Sequence, residues 1–127
     1  MEEGTDLGTI HIHNNVIATI ARLAALKVQG VVEMSGTLVD GLAGMIGKKS
    51  ADRGIRIDAE DAAVVLELQL ILEFGVNIPQ VAWQIQNEVR GAVQQMTGKT
   101  VKAVNIIVQG LHMPGQKKGT TPEGGGS

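Results

Sequence analysis

Hydrophobic and polar positions along the chain follow a period of two in some stretches and a period of about 3.6 residues in others. Strict alternation predicts strands, and recurrence every three or four residues predicts amphipathic helices. Turn-forming residues separate these stretches, so we expect a mixed fold. The predicted order is strand 9–13, helix 16–28, strand 31–36, short helix 38–47, strand 54–59, long strand 66–74, helix 78–96 and strand 100–113.

The long strand predicts the number of layers. Every second residue from Leu66 to Phe74 is hydrophobic, whereas Glu67, Gln69 and Glu73 lie on the alternate positions. One face of the sheet is therefore expected to meet water, and helices cover only the other face. The sequence predicts an α+β fold of two layers, with a mostly antiparallel sheet and two main helices packed on one face.

The joint before the second main helix, FGVNIPQ at 74–80, is expected to turn the chain. Asn77 is expected to cap the helix, Pro79 lies in its first turn, and Gly98 follows its end. Free N–H groups at such a joint can bind an anion. The joint has a single glycine and no adjacent cation, and Glu73 brings the wrong charge, so a turn is favoured over a ligand site. The hydrophobic stripe of the helix comprises Ile78, Val81, Ala82, Ile85, Val89, Ala92, Val93 and Met96.

Composition limits the domain organisation and the classes of partner. The 127 residues are enough for one domain with a buried core, which we assign to 8–113, and no hydrophobic run is long enough to span a membrane. Residues 1–7 are expected to form a flexible N-terminus and 114–127 a disordered Gly/Pro-rich tail. The net charge of −2, the single Trp and the absence of Tyr disfavour nucleic acid, and the absence of Cys excludes thiol chemistry.

Two histidines raise the question of a metal site. His11 and His13 are two residues apart on the predicted first strand, so their imidazoles would project from the same face. A third ligand would have to come from His112, Glu67 or Glu73, which requires neighbouring strands. A solvated strand face is favoured, and we expect neither a metal nor a cofactor.

A basic segment at 46–56 raises the alternative of RNA binding. Its beginning, Ile-Gly-Lys-Lys, matches the Ile-Gly-x-x-Gly loop of KH domains, but Ser50 stands where the second glycine would let the nucleotide backbone approach. A solvated loop is therefore favoured, with RNA binding kept as the alternative. The basic cluster is Lys48, Lys49, Arg53 and Arg56.

The sequence shows no catalytic group, and a hydrophobic set suggests binding instead. Ser35 and Ser50 have no adjacent His, and the acidic residues at 58–61 suit a hairpin turn, so we expect no enzyme. The short helix at 38–47 is interrupted by glycines and carries an adaptable Met. It is either a lid over the core or a partner-binding surface. Its hydrophobic residues are Leu38, Leu42, Met45 and Ile46.

Four blocks between 8 and 113 resemble the alkaline shock protein (Gls-type) envelope stress response family of Gram-positive bacteria. They are GTIHIHNNVIATIARLAA, VQGVVEMSG, GKKSADRGIRI and FGVNIPQVAWQIQNEVRGAVQQMTGKTVKAVNIIVQG. The last block is the most specific because its helix entry, its Met-Thr-Gly exit and its final strand occur in order. The residue before the Gly-Val-Asn turn is commonly Tyr in that family and is Phe74 here.

The resemblance implies a non-enzymatic cytoplasmic protein of envelope stress and homeostasis that acts by binding other proteins. Some family members are held at the membrane by a separate anchor protein, so a membrane anchor protein is one expected partner. Some are associated with control of fatty-acid synthesis, which makes a regulatory role there an alternative. Homo-oligomer formation through an open sheet edge also stays an alternative.

Overall fold

The structure is a computed structural model that describes residues 7–35, 54–60 and 62–113. Two helices and four strands lie in these ranges. In chain order they are α1 (Asn14–Leu26), β1 (Val31–Met34), β2 (Ile55–Glu60), β3 (Ala63–Glu73), α2 (Ile78–Thr97) and β4 (Thr100–His112).

β3 is the central strand of the sheet. β1 and β2 both pair with it antiparallel, and β4 pairs with it parallel along its whole length. At Gln69, the backbone oxygen accepts a hydrogen bond from Ser35 N at 2.8 Å, and the backbone N–H donates to Gly54 O at 2.7 Å. Both bonds leave the same edge of β3, because the N–H and C=O of one strand residue point to one side. β1 and β2 therefore lie end to end along one edge, and β4 occupies the other.

Both helices cover the inner face of the sheet. Along β3 every second side chain is fully buried, and the alternate ones are half-buried on the outer face. This confirms the two-layer α+β fold, because the alternation that predicted one covered face is the one the sheet shows. The inner core comprises Ile17, Ala21, Val64, Leu66, Leu68, Leu70, Leu72, Ile85, Val89 and Val93, each fully buried or nearly so.

α2 forms as the sequence predicts. The Asn77 side chain accepts a hydrogen bond from Gln80 N at 3.0 Å, so the cap satisfies an N–H group that would otherwise be free. The helix ends at Gly98, whose N–H bonds to Gln94 O. The joint at 74–77 therefore acts as a strand end and helix cap. Met96, the last residue of the predicted hydrophobic stripe, is 69% exposed, so the stripe is not buried along its whole length.

The prediction of a strand at residues 9–13 is wrong. Residues 8–13 are irregular, Ile10 is 88% exposed, and α1 already begins at Asn14. The N-terminal cap of α1 is His13, whose side chain makes no capping hydrogen bond. Both edges of β3 are taken by β1, β2 and β4, which leaves this short alternating stretch no central position in the sheet.

The parallel pairing of β4 follows from the connection that precedes it. Antiparallel neighbours can be joined by a tight turn, as β2 and β3 are, whereas parallel neighbours need a crossover. α2 is that crossover, and it returns the chain to the starting end of β3. Two of the three strand pairings are antiparallel, in line with a mostly antiparallel sheet.

Candidate partner-binding site

Most of the residues proposed for binding lie outside the described ranges. These are the hydrophobic set Leu38, Leu42, Met45 and Ile46, and the basic residues Lys48, Lys49 and Arg53. Arg56 is described, and it is exposed on β2 with Glu67 as its register partner on β3. A cation beside a carboxylate is a weaker phosphate ligand, because the carboxylate competes for it.

The histidines are not arranged as the metal hypothesis requires. His11 and His13 precede α1 in irregular backbone, so the predicted strand that would have aligned them does not exist. His112 instead lies beside Glu73, with Nδ1 3.6 Å from Oε1. Within 7–35, 54–60 and 62–113, no group of three or more His, Asp or Glu residues is placed to hold a metal ion.

A hydrophobic groove runs between α1 and α2 on the outside of the helical layer. Its volume is about 430 Å³, and α1 contributes to it from Asn15 to Lys27. Val16 is 45% exposed, Leu23 52% and Met96 69%. Ile20, Ala24 and Ala92 complete its hydrophobic lining. We call this surface the interhelical groove.

The interhelical groove arises from the way the two helices divide their side chains. The buried residues of α2 are spaced four apart, at Val81, Ile85, Val89 and Val93, and point at the sheet. In the same manner, Ile17 and Ala21 of α1 are buried against the sheet. Leu23 and Met96 are exposed, and both line the groove together with the small residues Ala24 and Ala92. Large side chains that flank small ones leave a depression with a hydrophobic floor.

The only tryptophan lies on the solvent-exposed surface of α2. Trp83 is 62% exposed and lines two polar grooves of about 470 and 410 Å³. Lys27 lines the first, and Arg90 and Lys102 line the second. The sequence reasoning did not single out Trp83, although its place two residues after Val81, off the buried stripe, was a usable signal.

Charge is divided between the two layers of the described residues. α1, α2 and the turns that follow them carry four basic residues and one acidic residue, whereas β1, β2 and β3 carry five acidic residues and one basic residue. The helical layer thus offers a cationic surface and the outer sheet an anionic one. The basic residues of the helical layer are Arg22, Lys27, Arg90 and Lys99.

The interhelical groove is suited to recognition. Its hydroxyl group, on Thr19, donates to Asn15 O at 2.9 Å and is therefore occupied by the helix itself. The remaining lining is largely hydrophobic, so it gains free energy by taking side chains of another molecule out of water. No helix in the described ranges is long and hydrophobic enough to span a membrane.

The fold and surface define a small two-layer α+β domain with a groove on its helical side. The chain belongs to the family of alkaline shock protein 23, described as having a cell envelope-related function, whose profile matches residues 2–113. This confirms the resemblance read from the sequence blocks.

Two relatives from Bacillus subtilis support this assignment. The chain is 34% identical to Bacillus subtilis YqhY over 109 residues, covering 86% of this chain and 81% of YqhY. It is 34% identical to YloU of the same organism over 115 residues, covering 89% and 96%. Among solved structures, a copper form of the MamM C-terminal domain is 14% identical, with a TM-score of 0.49 over 79% of this chain and 100% of that one.

Proposed function

We propose that this family member is a non-enzymatic protein of envelope homeostasis and stress that binds a protein partner through the interhelical groove. Binding takes place at the cytoplasmic membrane surface, where a membrane anchor protein is the expected partner. The observation that carries the proposal is the exposure of Val16, Leu23 and Met96 together around a hydrophobic floor. Exposed hydrophobic patches rimmed by polar residues are typical of binding sites.

The chemistry of the groove defines the partner segment. Val16 and Leu23 are two helical turns apart, a spacing that matches hydrophobic anchors on one face of a bound helix. The surrounding cations of the helical layer favour carboxylates at the edge of that segment. We therefore expect an amphipathic segment with hydrophobic anchors and acidic flanks.

The alternative of RNA binding has less support in the described residues. Arg56, the one residue of the basic cluster that the structure describes, shares the outer sheet face with several carboxylates. Trp83 with Arg90 and Lys102 is a better placed aromatic and cationic group, and it would be the site to mutate in a test for RNA. A regulatory partner in fatty-acid synthesis would be recognised by the identity of the protein captured in the following experiment.

The test is photo-crosslinking in living cells with a photoreactive amino acid at position 23. We expect a discrete adduct heavier than the 13.3 kDa chain, and mass spectrometry of that adduct identifies the partner. The matched control places the same amino acid at Asp58, which is exposed on the anionic outer sheet.

A second variant separates binding from folding. Met96→Glu puts a charge into the groove at a residue that is mostly exposed, so thermal unfolding should shift little while the adduct from position 23 is lost. Equal adducts from positions 23 and 58, or an adduct that survives Met96→Glu, would refute the groove as the binding site.

A further inference from the structure

The outer edge of β4 differs from the other edge of the sheet. β4 pairs with β3 alone among the described strands, so one side of its backbone has no strand neighbour there. Natural sheets usually protect such edges with charges or proline. From 103 to 111 the strand contains no charged residue and no proline, whereas β1 and β2 carry Glu33, Arg56, Asp58 and Glu60.

Hydrogen bonds from two glutamines of α2 show which residues of β4 point their backbone groups away from β3. Gln94 Oε1 accepts a hydrogen bond from Val101 N at 3.0 Å, and Gln86 Nε2 donates to Val104 O at 3.1 Å. Val101 and Val104 therefore direct their backbone groups away from β3. Backbone direction alternates along a strand, so beyond Val104 the outward residues are Ile106 and Val108.

The hydrogen bonds from the glutamines of α2 reach no further along β4 than Val104, near the start of the uncharged stretch. Val104 is the last outward residue that α2 supplies with a partner, and no hydrogen bond within the described residues reaches the outward groups of Ile106 and Val108. Ile107, between them, points its backbone to β3 and its side chain to the outer face, where it is 38% exposed. The edge thus presents unpaired backbone groups around an exposed isoleucine.

We propose that this edge pairs antiparallel with the same edge of a second copy of the chain, about a two-fold axis at Ile107. Ile106 then lies opposite Val108 of the other copy, and each such pair exchanges two N–H···O bonds. The axis leaves Val104 and its bond to Gln86 undisturbed. The two sheets become one continuous sheet through a self-complementary interface.

The chemistry of the edge selects a second copy over a charged partner strand. Identical strands that pair about a two-fold axis bring like residues together, so charge would be repulsive, and here the residues that meet are uncharged. Ile107 meets its own counterpart at the axis, in the close, non-hydrogen-bonded type of pair. This pairing is independent of the interhelical groove, which lies on the other flank of α2.

Sedimentation of the full chain over a range of concentrations tests the pairing. We expect the mass to rise from 13.3 kDa towards twice that value. Ile107→Lys places two ammonium groups at the axis and should abolish the rise. Thr100→Lys adds the same charge on the same strand at an exposed position outside the paired stretch, and it should leave the rise unchanged.

Amide hydrogen exchange of the unmodified chain tests the geometry without a substitution. The amides of Ile106 and Val108 should exchange more slowly as the concentration rises, whereas the amide of Ile107, held by β3, should be slow at every concentration. A mass that stays at the monomer value, a dimer that tolerates Ile107→Lys, or slowing confined to other amides would overturn the proposal.

Discussion

At the scale of single residues, Gly54 lies at the junction between the end of β1 and the start of β2, along one edge of β3. Its φ is +72°, and a Cβ there would lie 2.5 Å from Ser35 O and 3.0 Å from Gln69 O. Gln69 O accepts the hydrogen bond from Ser35 N that joins the end of β1 to β3, so it cannot move away without breaking that bond. The position therefore requires glycine both for its conformation and for its space.

A pair of glycine substitutions separates these two requirements. Gly98 has nearly the same φ, +77°, but a Cβ there would meet nothing within 4 Å. Gly98→Ala should lower the free energy of unfolding by roughly 1–2 kcal/mol, the cost of the left-handed conformation. Gly54→Ala should lower the free energy of unfolding by clearly more, because the clash of the new Cβ with backbone oxygens adds to the cost of the left-handed conformation. Chemical denaturation of both variants measures the difference, and equal losses would contradict the close approach.

At the scale of elements, α2 both covers the sheet and protects β4. Its buried valines and isoleucine face the core, and the amides of Gln86 and Gln94 reach the backbone of the strand it precedes. Val101 is 1% exposed, so its N–H has no access to water and depends on Gln94. A buried donor left without a partner costs about 1–3 kcal/mol.

Two neighbouring glutamines provide a matched test of that protection. Gln94→Ala should destabilise the fold by about 1–3 kcal/mol, because the Val101 N–H loses its acceptor. Gln95→Ala, on the exposed side of the same helix turn, should change stability by about 0.5 kcal/mol or less. Urea unfolding followed by circular dichroism measures both. If the two variants proved equally stable, the bond to Val101 would not stabilise the fold.

How far each element could be predicted depends on how much of its signal is local. α2 carries a long stripe, an asparagine cap and a glycine stop, and all of these act within the helix itself. The stretch 9–13 shows the alternation of a strand, yet a strand also needs a partner strand, and pairing partners are distant in sequence. The direction of β4 was unpredictable for the same reason, because alternation does not identify a neighbour.

The candidate site was harder to predict than the fold. Leu23 and Met96 have the character of core residues, and their exposure depends on how closely α1 and α2 approach each other. Small residues such as Ala24 and Ala92 form the floor of the groove but look in the sequence like ordinary helix formers. The periodic pattern identifies which face of each helix is buried, and it contains no information on the gap between two helices.

At the scale of the whole molecule, the described surfaces differ in chemistry and lie apart from one another. The interhelical groove lies on the cationic helical layer, the outer sheet is anionic, and the open edge of β4 lies beyond the far flank of α2. The groove and the edge can therefore be occupied at once. A pair of chains joined at β4 would present two grooves, and two linked sites raise the overall affinity for a clustered partner.

The division of charge makes a prediction about the partner captured at position 23. Lys27 lines the interhelical groove, so Lys27→Gln should slow association with an acidic partner segment and reduce its dependence on salt. Arg56→Gln removes the same charge from the outer sheet and should leave both quantities unchanged. Surface plasmon resonance at several salt concentrations measures the association rates. Opposite charges steer association over distances of about 10 Å at ordinary salt. If the local cationic layer attracts the partner, only Lys27→Gln slows association. If the total charge of the chain attracts it, both variants associate more slowly to the same extent.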